Sequence, residues 1–205
     1  DHIICGQRAS DLFVNVVKDP LIAQYVDFIR KSIPCEVVMF DISVDKAAKK
    51  SSADGVTEIV YRKILSHLGY AEDFDLAELE IELEGEGRLD AFLEAFIHLY
   101  PDIEWSKARS GAQKIARASA VMHELDPKTY PDASTWSKSM RSPQISVQFV
   151  VNRIFDLYSR RRPGKALVLI IDEVGQYVAR NSERIEDLRA FVEVLGKEGK
   201  NRLKN

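Results

Sequence analysis

Two adjacent carboxylates at the end of an unbroken apolar run are the residues of this chain best placed to do chemistry. Residues 166–173 read Ala-Leu-Val-Leu-Ile-Ile-Asp-Glu. A run without polar alternation suits a strand of a parallel sheet covered on both faces. The C-terminal edge of such a sheet is where ligands bind, and Asp172 and Glu173 are expected to emerge there. An acidic pair in that place has the shape of a Walker B motif. In nucleotide hydrolases the first acid holds Mg²⁺, usually through water, and the second polarises the water that attacks the γ-phosphate. The alternative is a buried strand running into a surface acidic pair, which any α/β domain can contain.

A nucleotide hydrolase also needs a phosphate cradle, usually G-x-x-x-x-G-K-[ST], which follows a strand and opens a helix. The sequence holds none. Gly164-Lys165 precedes the strand and is followed by Ala166, Gly199-Lys200 is followed by Asn201, and Gly111-Ala112-Gln113-Lys114 lacks the second glycine. Either the chain starts downstream of a Walker A segment, or it never bound a nucleotide. The opening Asp-His-Ile-Ile and the basic, turn-like close from Glu198 to Asn205 lead us to expect a fragment of a longer protein. Most ground-state contacts to the phosphates come from the cradle, so the fragment alone is expected to be inactive.

The elements that must position the acids follow from hydrophobic spacing. Residues 11–32 carry a helical period broken at Asp19-Pro20, which predicts two helices or one interrupted helix. Residues 36–42, Glu-Val-Val-Met-Phe-Asp-Ile, read as a second buried strand. Asp54 is placed to cap a helix over 54–68, with Val56, Ile59, Val60, Ile64 and Leu68 inward and Gly69 as its stop. Ser142-Pro143 is expected to open a helix running to about Ser159, and Ser182 to cap a last helix ending at Gly196. Strand, loop and helix in this rhythm predict an α/β fold.

Charge marks out the middle of the chain. From Glu72 to Glu104 twelve acids face one base, Arg88, and from Trp105 to Lys165 twelve bases face four acids. Two helical stripes lie in this region, around Leu89–Tyr100 and Ala108–Met122. We therefore expect a helical insertion at 72–141 between 1–71 and 142–205, with its charges as solvated faces. The 205 residues carry a net charge of −3, so no global positive field points to nucleic acid. Cys5, Cys35 and the four histidines lack metal-ligand spacing. No apolar run reaches the ~20 residues of a membrane span, and no signal-like segment opens the chain, which makes a cytoplasmic setting the expectation.

The run from Arg161 to Val178, with Asp-Glu-Val-Gly-Gln-Tyr at 172–177, and Leu195-Gly196-Lys197-Glu198-Gly199 after it, resembles the Walker B region of a bacterial protein family. That family is the large P-loop ATPase of BREX phage-defence systems, the BrxC/PglY family. Leu79–Glu84 and Leu125–Pro131 resemble stretches of the same family, and the likeness spans roughly residues 70–200. The resemblance implies an α/β, parallel-sheet P-loop NTPase core of AAA-like type, incomplete here and interrupted by the helical insertion. It implies ATP and Mg²⁺ as cofactors, Asp172 as the metal acid and Glu173 as the catalytic base. Gln176 and Tyr177 are candidates for contact with nucleotide or a neighbouring subunit, although packing of their loop explains them equally well. Arg160, Arg161, Arg162, Arg180 and Arg184 are candidate arginine fingers, against simple solvation of the triplet at a helix end. The implied partners are the other BREX components, further copies of the chain, and DNA within the complex, with no membrane.

Three functions compete on this reading. The first is part of the ATPase module of an anti-phage protein that drives or switches a DNA-associated defence and methylation complex. The second is a non-enzymatic assembly module in which the Walker-like strand is only core. The third is direct nucleic-acid binding through the basic 105–165 stretch, whose aromatics are not interleaved with its bases as a stacking platform would be.

Overall fold

The break at Asp19-Pro20 produces two helices rather than one bent helix. The computed structural model of the chain describes residues 7–43, 55–140 and 142–202. Helix α1, Gln7–Val17, ends where Lys18 takes a left-handed backbone (φ 52°), and helix α2, Pro20–Ser32, begins on a proline at its first turn. Asp19 caps α2, its carboxylate accepting from the backbone N–H of Leu21 and Ile22 at 2.8 and 3.2 Å. The guanidinium of Arg30, near the end of α2, lies 3.8 Å from Asp11 near the start of α1, so the pair is an antiparallel hairpin.

Two strands follow the expected apolar runs, but they are not covered on both faces as expected: β2 has no buried residue and β1 has one, Val38. Strand β1, Cys35–Asp41, pairs in parallel with strand β2, Ala166–Asp172, in a register from Cys35 beside Ala166 to Asp41 beside Asp172. Between them in sequence come helices α3 (Val56–Leu68), α4 (Phe74–Gly85), α5 (Leu89–Leu99), α6 (Trp105–Ala108), α7 (Lys114–Leu125), α8 (Thr135–Ser139) and α9 (Val147–Arg161). After β2 come the short helix α10, Val174–Val178, and the long helix α11, Ser182–Arg202. The expectation of an α/β, parallel-sheet P-loop NTPase core of AAA-like type is overturned. Among the described residues 67% are helical, and the sheet has two strands. Only two segments among the described residues form strands, and the rest of the regular structure is helical, including Leu79–Glu84, whose sequence alternates.

The chain divides into two compact units, one formed by residues up to Val60 together with those from Ser146 onward, the other by Tyr61–Ile145. The boundary falls inside α3, and the expected insertion at 72–141 lies within the second unit. In the first unit α9 and α11 pack on each other, with Val150, Val151, Ile154, Leu157 and Phe191 buried. In the second, Phe92, Phe96 and Trp105 form an edge-to-face cluster with ring centroids 5.1 Å apart. Glu80 of α4 is buried there, 2% exposed, where a solvated face was expected. Its carboxylate accepts from Trp105 Nε1 (2.6 Å), the Arg109 guanidinium (2.9 Å) and the Ala71 backbone N–H (2.6 Å). A buried charge persists when it is paired and fully hydrogen-bonded, and these three donors satisfy that condition.

Helix boundaries differ from expectation at several places, the start of α11 among them, where Asn181 and not Ser182 accepts from the Arg184 N–H at 3.0 Å. Ser146, not Ser142, caps α9, its hydroxyl accepting from Phe149 N–H at 3.2 Å. Gly196 lies inside α11 rather than at its end, and the segment from Glu198 to Arg202 continues that helix instead of turning. Asp54, the expected cap of α3, lies outside the described residues.

Candidate functional site

The parallel register sets three carboxylates at the same end of the strand pair. Asp41 closes β1 and Asp172 closes β2 as direct register partners, and Glu173 follows at once. Asp172 is exposed, and its Oδ1 accepts the backbone N–H of Glu173 at 2.8 Å. That bond turns the chain sharply: Glu173 sits at φ 57°, ψ 18°, the left-handed region, as the residue that opens α10. A β-carbon makes this conformation unfavourable, and glutamate has none of the local hydrogen-bonding advantage that lets Asn or Asp adopt it. The sequence therefore places an acid where a glycine would sit at lower cost.

Asp41 is engaged by its own loop. Its Oδ1 accepts from the Ser43 backbone N–H (2.8 Å) and hydroxyl (2.6 Å). Sequence reasoning had Asp41 inside the predicted strand and attached no role to it. The signal was a second β-type run that also ends on an acid. Among the described residues no group of three or more His, Cys, Asp or Glu side chains is placed to hold a metal ion.

The remaining site candidates are distributed between the two ends of β2. Gln176 is exposed on α10, whereas Tyr177 is buried, its ring beneath the Arg184 guanidinium at 4.3 Å. Arg184 also donates to the Tyr177 carbonyl at 3.2 Å, and its backbone N–H is capped by Asn181 at 3.0 Å. Arg180 is exposed and, like Glu173, left-handed (φ 62°). Arg160, Arg161 and Arg162 close α9 before β2 begins. Seven strand residues span ~23 Å, so the triplet lies at the end of β2 opposite Asp172 and Glu173. Arg162 and Lys165 share one carboxylate, Glu36, at 2.9 and 2.5 Å. The triplet is therefore out of reach of the acidic pair within the same chain.

That far end of β2 also borders a cavity of about 770 Å³ between α9, β2 and α11, lined in part by Phe155, Tyr158, Leu167, Leu169, Leu195 and Gly199. The volume falls in the range of small-molecule pockets. It does not reach Asp172 or Glu173. The Tyr158 hydroxyl is buried without a hydrogen-bond partner among the described residues. Burial first, and the nearby Glu36 carboxylate second, push its pKa up to about 12. Two residues that sequence reasoning passed over hold the start of α3: Asp187 of α11 accepts from the Thr57 backbone N–H at 2.9 Å and from its hydroxyl at 2.6 Å.

No helix among the described residues is long and apolar enough to cross a membrane. No family model matches the chain, and no solved structure matches it.

Proposed function

We propose that this chain contributes the acidic half of an ATP-hydrolysing centre, as part of the ATPase module of a larger bacterial anti-phage protein of the BREX type. The observation that carries the reading is the junction of β2 and α10. A wholly apolar parallel strand ends on an exposed Asp172, and the next residue, Glu173, is held in a strained left-handed conformation by Asp172 itself. Strained non-glycine residues concentrate at functional sites. The Asp-Glu-Val-Gly-Gln-Tyr likeness at 172–177 supplies the choice of nucleotide hydrolysis among the chemistries an acidic pair can do.

In this reading Asp172 is the residue that would hold Mg²⁺ through water, and the metal would neutralise charge on the phosphate oxygens. Glu173 accepts a proton from a water molecule as its oxygen bonds to the γ-phosphorus and the bond to the ADP oxygen breaks. The grip on the phosphates comes from residues outside this sequence, which holds no cradle. The partners of the proposal are the remaining defence components, DNA and further copies of the chain, in the cytoplasm.

The test is ATP turnover in the complete protein. Glu173→Gln is expected to lower turnover at least about 100-fold, the usual worth of a positioned general base, while nucleotide binding is retained. Asp172→Asn is expected to weaken binding in Mg²⁺ and leave metal-free binding unchanged. Hydrolysis unaffected by Glu173→Gln rejects the assignment. It would favour a non-enzymatic assembly module, for which the wide exposed apolar surface of α1 and α2 is the supporting observation.

A further inference from the structure

Helix α2 has no buried residue at all, although more than half of its residues are apolar. Of nine exposed large apolar side chains in the hairpin, six are exposed by half or more: Leu12, Phe13 and Val16 on α1, and Leu21, Tyr25 and Phe28 on α2. Val16 is 79% exposed and Phe28 61%. Their spacing is helical, 12–16 and 21–25–28, so each helix carries a stripe that none of the described residues of its own unit covers. Weighted by their exposure, the six expose ~700 Å² of mostly apolar surface, close to the ~800 Å² per partner of a standard stable interface.

We propose that the α1–α2 hairpin is a homotypic docking element, and that two copies of the chain pair through it as a four-helix bundle. The geometry is that of half a bundle: two antiparallel helices joined by two residues, with apolar stripes left over. Charge is compatible with a second copy. Across residues 7–33 the acids are Asp11, Asp19 and Asp27 and the bases Arg8, Lys18, Arg30 and Lys31, a net charge of +1. Four of these seven pair within the hairpin, Arg30 with Asp11 and Asp27, and Lys31 with Asp27 at 2.6 Å. A surface this close to neutral meets its own copy with little repulsion. It lacks the basic face that attracts a membrane surface or nucleic acid, and a twofold pairing of identical patches closes on itself.

Sedimentation equilibrium of the 205-residue chain across the micromolar range tests this directly. A mass of twice 23.2 kDa is expected, falling to the single-chain mass on dilution. Val16→Asp with Phe28→Asp is expected to raise the dissociation constant at least about tenfold per position, with helix content unchanged and with the thermal midpoint unchanged at concentrations where both forms are single chains, because neither residue is buried within the chain. Val16→Ser with Phe28→Ser reads the same effect should the aspartates lower the helix content. Ile97→Asp, on the exposed face of α5, is expected to leave the dimer intact. A single-chain mass at every concentration overturns the proposal, as does a dimer indifferent to the hairpin variants. Co-sedimentation of a monomer with phosphatidylcholine vesicles also overturns it, by assigning the stripes to lipid.

Discussion

Glu173 is the residue at which local energetics and the expected chemistry conflict. Its φ of 57° is of the kind that costs roughly 1–3 kcal/mol at a non-glycine residue. Glu173→Gly should remove most of that cost and raise stability by about 1 kcal/mol, offset by glycine's greater freedom in the unfolded chain. Denaturant unfolding of the two forms measures it, and a less stable glycine variant would show that the glutamate side chain's contacts outweigh the backbone strain. A gain in stability joined to loss of turnover is the trade-off expected of a functional position. Tyr158 has a conflict of another kind: its hydroxyl is buried without a hydrogen-bond partner among the described residues, and its pKa is pushed up to about 12 from an ordinary 10.0. The folded protein favours the neutral phenol. Its contribution is therefore fully present below pH 10 and lost as the pH rises from 10 through 12. Tyr158→Phe should leave stability at neutral pH unchanged or slightly higher and flatten the decline between pH 10 and 12, both read from unfolding curves taken across that range.

Among the elements, α3 shows how a helix can take its cap from far along the chain. Asp187 satisfies the Thr57 backbone N–H and hydroxyl from α11, and the approach is close enough that a β-carbon on Gly55 would meet its Oδ2 at 2.6 Å. Asp187→Ala should cost about 1–2 kcal/mol, as loss of a helix cap does, and the fall in the unfolding midpoint measures it. A partner 130 positions away leaves no local signature, which is why the sequence alone does not point to Asp187. The two strands, α3 and the split at Asp19-Pro20 were legible because an apolar run or a capping pair marks each of them. Helix α4 was not. Its Leu-Glu-Ile-Glu-Leu-Glu alternates with the period of a strand, yet Leu79, Glu80, Ile81 and Leu83 are all buried because other helices surround it on several sides. Gly196 was read as a stop because glycine often ends a helix, but α11 runs through it with open space where a side chain would stand.

For the whole molecule, the acidic pair and its strand were legible from eight residues, and their neighbour Asp41 was not, since register is a property of two strands together. Fold class failed for a related reason: one convincing strand invited a whole sheet around it, whereas among the described residues only one other segment joins it. The candidate site depends on that single partnership, and the partnership spans the chain. Cys35–Asp41 and Ala166–Asp172 are separated by the 124 residues from Ile42 to Lys165. Closing a loop of that length before anything inside it has condensed costs chain entropy that seven paired residues cannot offset. During folding, then, β1 waits until the intervening helices have collapsed and shortened the search. The acidic edge is among the last features of the native state to be assembled, and it is undone by any disturbance that lets the two strands part.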